Sequence, residues 1–490
     1  VKALRGAAPW LALLALHLGL RLAALDALPP FLDEVGHARW SVQIAEGFNL
    51  EKPWQYGKGL GIFVGALFVP PGPEAVLVAR AVTAALSALA LLGVVLAARR
   101  LWDEATGFAA GLCYAVAPFA VFHERLFLTD PHGAAFSGLA LWTAAAGARG
   151  GGRRHAVATG LLLACAVFSK ALGVLFVALP LLAALCLAPR ERAAWRHAGL
   201  SLVVFAATAG WPLVVFFRQT STVRVAVEKD EGQLVPRIAE NAALLGEWLA
   251  AYLTPALLLL VVAGLLRGVR ERRGEAAFAL LAAGLPLLAL LAVSTLWFPR
   301  YVVPAIAPLC LLAGAGGIAA WRALGGGRLA AAALLAAAAL PLRFDAALIV
   351  DPRQAPLPAI DRQQFVDAWP SGYGVLDTLA YLEREAAEHP TGIYVVTHSG
   401  SRRTTAWALQ LAWERDARFA LDDVDLLQAN ARWALEDWTS RKPTYLVISP
   451  LAPGRRRPDP AVWQDLGGLA LRTRKPDGSE CDQVWKLERR

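Results

Sequence analysis

Charge is scarce in this chain, and so are the motifs that soluble enzymes use for nucleotides and metals. Only 18% of the 490 residues are charged and 57% are hydrophobic, giving a mean hydropathy of +0.47. Soluble domains carry about 25% charged and about 45–50% apolar residues, so the excess apolar surface needs a solvent other than water. In the polar C-terminal part no GxGxxG and no P-loop occurs, so no nucleotide site is expected there. Five cysteines are present. Cys113, Cys165, Cys186 and Cys310 lie inside apolar runs, where cysteine behaves as a small hydrophobe. Cys481 stands alone in the polar C-terminal part, so no disulfide forms within it. No CxxC or Cys/His cluster suggests structural zinc. His37, His123 and His132 lack the tight spacing of metal ligands. Nothing demands a metal or other cofactor, and a divalent ion is left open.

What the chain has is long Leu/Ala/Val runs up to about Leu342. With roughly 20 apolar residues per crossing, eleven spans are expected. The first six are Pro9–Leu25, Pro73–Ala98, Gly107–Phe122, Leu126–Ala146, Ala156–Phe168 and Ala171–Leu187. The others are Gly199–Phe217, Leu244–Leu266, Ala276–Val293, Tyr301–Ala319 and the short, Ala-rich Leu329–Leu342. The first run reads as a retained helix rather than a signal peptide, because Leu-Pro-Pro-Phe-Leu-Asp-Glu follows it instead of a small-residue cleavage site. The net charge of +9 invites a nucleic-acid reading, but its placement argues against one. Arg and Lys cluster in alternate gaps, from Lys2/Arg5 through Arg99/Arg100, Arg149/Arg153/Arg154 and onward to Arg322/Arg328. That is the positive-inside bias of cytoplasmic loops. An inside N-terminus and an odd number of crossings place everything after Leu342 outside.

The opposite gaps then form the outer face. They are a first loop at residues 26–72, turns at His123–Arg125 and Ser169–Lys170, a polar loop Arg218–Asn241, and Ser294–Arg300. Within the first loop, Gly59–Val69 is apolar but too short to cross, and reads as an interfacial helix. The expected organisation is a mainly α, polytopic helical bundle over residues 1–345 and a soluble α/β domain over 346–490. In that domain helices are expected at Tyr373–Glu388, Arg402–Trp413 and Ala461–Leu466. Strands are expected at Gly392–Thr397, Thr444–Ile448, Ala470–Arg474 and Gln483–Leu487.

Residues with chemical potential gather on the expected outer side. Asp33-Glu34 follow the first span; they are either solvated loop acids or a general base for an acceptor hydroxyl. Lys58, between Gly57 and Gly59, either snorkels to headgroups or meets a lipid phosphate that the glycines allow to approach. Asp130 falls about one helical turn into a span, where an unpaired carboxylate is costly, so it should face a polar cavity or pair with Arg125. Arg300 offers a planar fork for phosphate, and Lys170 is a weaker site of the same type.

These segments, in order, resemble the lipid-phosphosugar-dependent glycosyltransferases of the GT-C class. The likeness is to bacterial relatives of protein O-mannosyltransferases and of the lipid A aminoarabinose transferase. The matching pieces begin with Asp33-Glu34, Ile44-Ala45-Glu46-Gly47 and Gly57-Lys58-Gly59. Arg125-Leu-Phe-Leu-Thr129-Asp130-Pro131, Ser169-Lys170, Arg300-Tyr301-Val-Val-Pro304 and Trp369-Pro370-Ser371-Gly372-Tyr373-Gly374 follow. The resemblance implies inverting transfer of a sugar from a polyprenyl-phosphate carrier to a lipid, protein or polysaccharide hydroxyl. It places this chemistry outside a bacterial inner (plasma) membrane, with no nucleotide sugar and no nucleic acid. It implies Asp33, Glu34 and Asp130 as the catalytic set, and Lys58, Arg300 and Lys170 on the donor phosphate. His37, Arg125, His132 and Tyr301 would line the cavity. His37 and His132 depart from the residues common in the family. The competing expectation is a transporter or flippase for a lipid-linked glycan. That reading favours internal repeats, and no repeat is evident between the halves.

Overall fold

The computed structural model describes residues 6–47, 51–219, 234–294, 297–401, 403–451 and 454–488. The expected loop Arg218–Asn241 therefore lies largely outside the described residues, as do Lys2, Arg5, Arg402 and part of Ser294–Arg300.

Each of the eleven apolar runs falls on helical chain. Six helices among the described residues are long and apolar enough to cross a membrane: Ala75–Leu101, Arg192–Arg218, Val235–Glu271, Arg273–Val293, Pro299–Ala323 and Arg328–Val350. Glu104–Ala115 and Pro118–Glu124, bent by 57°, make a seventh if they form one span. The bend has a local cause, since Pro118 has no N–H to continue the ladder. Ala8–Leu22 and Ala171–Leu187 are shorter apolar helices. The chain is an integral membrane protein. Its last apolar helix is longer than expected: Arg328–Val350 runs on through Arg343 and Asp345, so residue 345 falls inside a helix rather than at its end. Helix approach in the bundle relies on missing side chains. A Cβ on Gly264 would lie 1.8 Å from the Leu312 carbonyl oxygen, and one on Gly316 would lie 1.9 Å from that of Leu260. Lipid gives helices no hydrophobic reason to associate, and close backbone packing takes its place.

Two compact units emerge. The first comprises Val1–Leu25, Phe48–Val64 and Arg80–Pro358; the second comprises Asp26–Gly47, Gly65–Ala79 and Ala359–Arg490. The segment expected as the first outer loop is thus divided, and its opening helix Leu32–Ala45 belongs with the C-terminal residues.

The second unit is built on a five-stranded sheet in the order β2-β1-β3-β5-β4. The strands are β1 (Ile393–His398), β2 (Phe419–Val424), β3 (Thr444–Ile448), β4 (Gly467–Arg474) and β5 (Glu480–Leu487). β1 pairs in parallel with β2 and β3, whereas β5 runs antiparallel to β3 and β4. The central strands β1 and β3 are nearly continuous apolar runs, as strands covered on both faces require. Val396, Leu446, Leu435, Leu426 and Trp463 join in one core cluster. Asp482 is buried on β5 and is satisfied by the hydroxyls of Thr378 at 3.2 Å and Thr405 at 3.0 Å. Helices Val375–Glu388 and Arg403–Trp413 occupy their expected places, while the expected helix at Ala461–Leu466 is only a 3₁₀ turn, Pro460–Val462.

Candidate active site

In the helical unit, three of the singled-out residues meet. Asp130 sits in the first turn of helix Thr129–Ala148, and Lys170 follows helix Arg153–Ser169. The Lys170 ammonium lies 3.4 Å from the Asp130 carboxylate. The same ammonium stands 5.2 Å from the centre of the Tyr301 ring, a cation–π arrangement. All three line a small cavity with Gly133, Phe176 and Pro304. Asp130 is 3% exposed, so the ion pair answers the desolvation that a lone carboxylate would suffer there.

Glycines bring the Lys58 turn to this cluster. Gly57 has φ +63, and a Cβ there would lie 2.7 Å from that of Ala171. Its carbonyl accepts a hydrogen bond from the Ala171 N–H at 2.9 Å. The turn carrying Lys58 is thereby fixed to the turn carrying Lys170. The Gly59–Ala66 helix continues the contact: a Cβ on Gly61 would lie 2.8 Å from the Thr129 methyl and 3.3 Å from His132 Nδ1. Within the expected Gly59–Val69 stretch the chain is helical over Gly59–Ala66. Arg300 lies in the 3₁₀ turn Pro299–Val302, its guanidinium 4.6 Å from the centre of the Phe298 ring and 5.8 Å from that of Tyr301.

Two expected cavity residues are placed differently. Arg125 donates to the carbonyls of Leu20, Ala23 and Ala24 at 2.9, 2.6 and 2.8 Å, so it caps the end of the first helix. Asp130 pairs with Lys170, and the alternative of an Arg125 partner is not realised. His132 is buried with Nε2 3.1 Å from the Thr83 hydroxyl.

In the second unit, Asp33 and Glu34 occupy the first turn of helix Leu32–Ala45, where carboxylates complement the helix dipole. Glu34 is fully buried and accepts the Phe31 N–H at 3.0 Å, satisfying one of the orphan donors at the helix start. Asp33 is half-buried on the same turn. His37 is buried one turn further, its ring 5.9 Å from Trp40. The Trp369–Gly374 motif acts here as a brace. The Leu32 N–H donates to the Pro370 carbonyl at 3.2 Å, and a Cβ on Gly372 would collide with the Pro30 carbonyl at 1.9 Å. The Phe31 and Phe365 rings meet at 4.5 Å.

Sequence reasoning missed Thr83, and it missed the partner of Glu124. Arg21 Nε donates to Glu124 at 2.6 Å with both side chains fully buried, and the Tyr114 hydroxyl donates to the other carboxylate oxygen. The available signal was an Arg late in an apolar helix, which must be matched. Asp345 is also buried, and neither of its oxygens has a hydrogen-bond partner among the described residues. No group of three or more His, Cys, Asp or Glu side chains suited to a metal occurs among the described residues.

The sequence profile of the dolichyl-phosphate-mannose-protein mannosyltransferase family matches residues 72–215. No curated protein matches the chain by sequence. Among solved structures, ArnT from Cupriavidus metallidurans bound to undecaprenyl phosphate is 16% identical, covers 98% of each chain and superposes with a TM-score of 0.58. The same protein in its apo state gives 0.54 at 16% identity, over 97% of this chain and 96% of that one. The fold is that of the GT-C glycosyltransferases. The GT-C likeness extends to an oligosaccharyltransferase from Archaeoglobus fulgidus tethered to an acceptor peptide. It is 14% identical over 98% of this chain and 74% of that one, with a TM-score of 0.51.

Proposed function

We propose that this protein is an inverting glycosyltransferase. It moves a sugar from a polyprenyl-phosphate carrier to an acceptor hydroxyl of a lipid, protein or polysaccharide, at the outer face of a bacterial plasma membrane. The observation that carries the reading is the Asp130–Lys170–Tyr301 cluster with the Lys58 turn fixed against it, on a fold shared with an enzyme solved with undecaprenyl phosphate.

A polyprenyl phosphate keeps its tail in lipid and its phosphate at the surface. Lys58, Lys170 and Arg300 hold that phosphate and offset the negative charge that grows on the leaving oxygen. Asp130 is a positioning residue here, fixing the Lys170 ammonium. Asp33 takes the proton from the acceptor hydroxyl as its oxygen attacks the anomeric carbon. The bond from that carbon to the phosphate oxygen breaks, and polyprenyl phosphate departs with the electron pair. Attack opposite the leaving group inverts the centre. Glu34 ties down the helix turn from which Asp33 acts. No cofactor is assigned to the step.

The test uses the purified full chain in nanodiscs, a radiolabelled polyprenyl-phosphate sugar and membrane extract as acceptor source. Asp33→Asn is expected to lower transfer by about 10²–10⁴-fold with donor affinity unchanged. Lys58→Ala is expected to weaken donor binding about tenfold, the loss of a charge-assisted contact. Wild-type turnover in Asp33→Asn, or movement of labelled donor across the bilayer without bond cleavage, would overturn the reading.

A further inference from the structure

The Leu32–Ala45 helix that presents Asp33 also carries a second group of side chains. Arg39, Val42 and Gln43, with the C-cap residue Glu46, recur at steps of three and four, so they share one face. That face lines a cavity of about 500 Å³. Gln410 to Ala412 at the end of the Arg403–Trp413 helix and Glu414 to Ala417 in the turn after it line it too, and Pro71 and Gly72 complete it. The arrangement is built rather than incidental. A Cβ on Gly36 would lie 2.8 Å from the Trp407 ring, so glycine sets how closely the two helices approach. The Gly72 N–H donates to the Leu411 carbonyl at 3.0 Å. Arg415 pairs with Glu46 across the cavity.

A cavity of this size falls in the range that holds small molecules, and its chemistry narrows the choice. Arg39 Nε, a donor, and Gln410 Oε1, an acceptor, are buried without a hydrogen-bond partner among the described residues. A buried polar atom left without a hydrogen bond is costly, so a ligand that satisfies both gains from each. Hydroxyls donate and accept at one atom. The charges nearly cancel: Arg39 and Arg415 face Glu46, Glu414 and Asp416. Asp416 is further engaged by Arg418 at 2.6 Å, whose hydrogen bond outweighs burial and holds its carboxyl below the usual range. No unopposed positive field is left for a phosphate or carboxylate. The Lys58, Lys170 and Arg300 group, by contrast, is rich in cations.

We propose that this cavity binds an uncharged, polyhydroxylated group, a neutral sugar, through Arg39 and Gln410, and that it serves as the acceptor subsite. Its role as acceptor subsite rests on the glycosyltransferase reading; its preference for neutral sugar does not.

The test takes the full chain in nanodiscs and measures binding of mannobiose, maltose and lactose by saturation-transfer NMR. Glucuronate and glucose 6-phosphate are the charged comparisons, and undecaprenyl phosphate affinity reports an intact fold. At least one neutral disaccharide should bind the wild type. Ala417→Trp, which fills the cavity from an exposed position, and Gln410→Ala should each weaken it about tenfold, with undecaprenyl phosphate held as in the wild type. Absence of neutral-sugar binding, equal or tighter binding of the charged probes, or unchanged affinity in Ala417→Trp overturns the proposal. Neutral-sugar binding by a protein that uses no polyprenyl-phosphate donor supports the sugar site and sinks the glycosyltransferase reading.

Discussion

The helical unit buries two ion pairs besides its surface ones, whereas ion pairs of the α/β unit such as Arg432–Asp465 and Arg472–Glu480 stay at the surface. Arg21 and Glu124 are both fully buried, and the Arg21 guanidinium also donates to the Ala115 carbonyl at 2.9 Å. The side chains of Lys170 and Asp130 are 15% and 4% exposed. In the second unit, Arg432–Asp465 and Arg472–Glu480 close to 2.8 Å but stay about half exposed. Where water is present it solvates whatever a pair leaves over, and such pairs contribute little. Where water is absent each charge needs its own partner, and breaking a set strands a charge. Substitutions at Glu124 and Glu385 test that contrast, and one at Gly57 tests the close packing of the helical unit.

The largest effect is expected at Glu124. Glu124→Leu alone leaves Arg21 buried without its carboxylate and should destabilise by about 3–5 kcal/mol. The double variant Arg21→Met/Glu124→Leu removes both charges and should recover most of that loss. Thermal unfolding of the detergent-solubilised full chain measures both. Equal melting temperatures for the single and double variants would break the comparison, since the cost would then come from packing.

A middle-sized effect is expected at Gly57. Its φ of +63 and the 2.7 Å approach to Ala171 leave no room for a side chain. Gly57→Val should cost about 1–3 kcal/mol through crowding and should also weaken polyprenyl-phosphate binding, because the Lys58 turn loses its anchor. Thermal unfolding and donor titration of the same preparation check the two parts. Full donor affinity in a destabilised variant would separate the anchor from the phosphate site.

How much of this was legible follows the same division. The apolar runs placed the helices because lipid demands internally bonded backbone and long apolar stretches. Lys58, Asp130 and Lys170 stood out as charges at run ends, where charge is expensive. The partners were hidden, because Asp130 meets Lys170 through helix packing that no local spacing encodes. In the second unit β3 was found at its observed bounds, yet β2 was missed. Its Asp422 and Asp423 are tolerable only because β2 is an edge strand facing water. The Ala431–Arg441 helix was missed for a related reason: Arg432, Glu436, Asp437 and Arg441 dilute its apolar signal. Charge thus marked candidate site residues in the membrane unit and hid secondary structure in the other.

The smallest effect sharpens the comparison from the watery side. Glu385 accepts hydrogen bonds from the Tyr445 hydroxyl and from Lys486 at 3.0 Å. Burial alone would raise its pKa, but the bonds from Tyr445, Lys486 and Tyr381 outweigh burial and hold it below the usual carboxylate range. A carboxyl that is more acidic folded than unfolded stabilises the fold above the unfolded value of about 4.3 and loses that contribution as the pH falls through the folded value. Wild-type stability should therefore drop on acidification below about pH 4.3, and Glu385→Gln should flatten that limb by roughly 1 kcal/mol or less, since water still reaches the pair. Melting temperature against pH for the two full-length proteins decides it. A Glu385→Gln loss as large as that of Glu124→Leu would mean that this exposed-side cluster behaves like a buried one, and that the contrast between the units lies in hydrogen-bond geometry rather than in access of water.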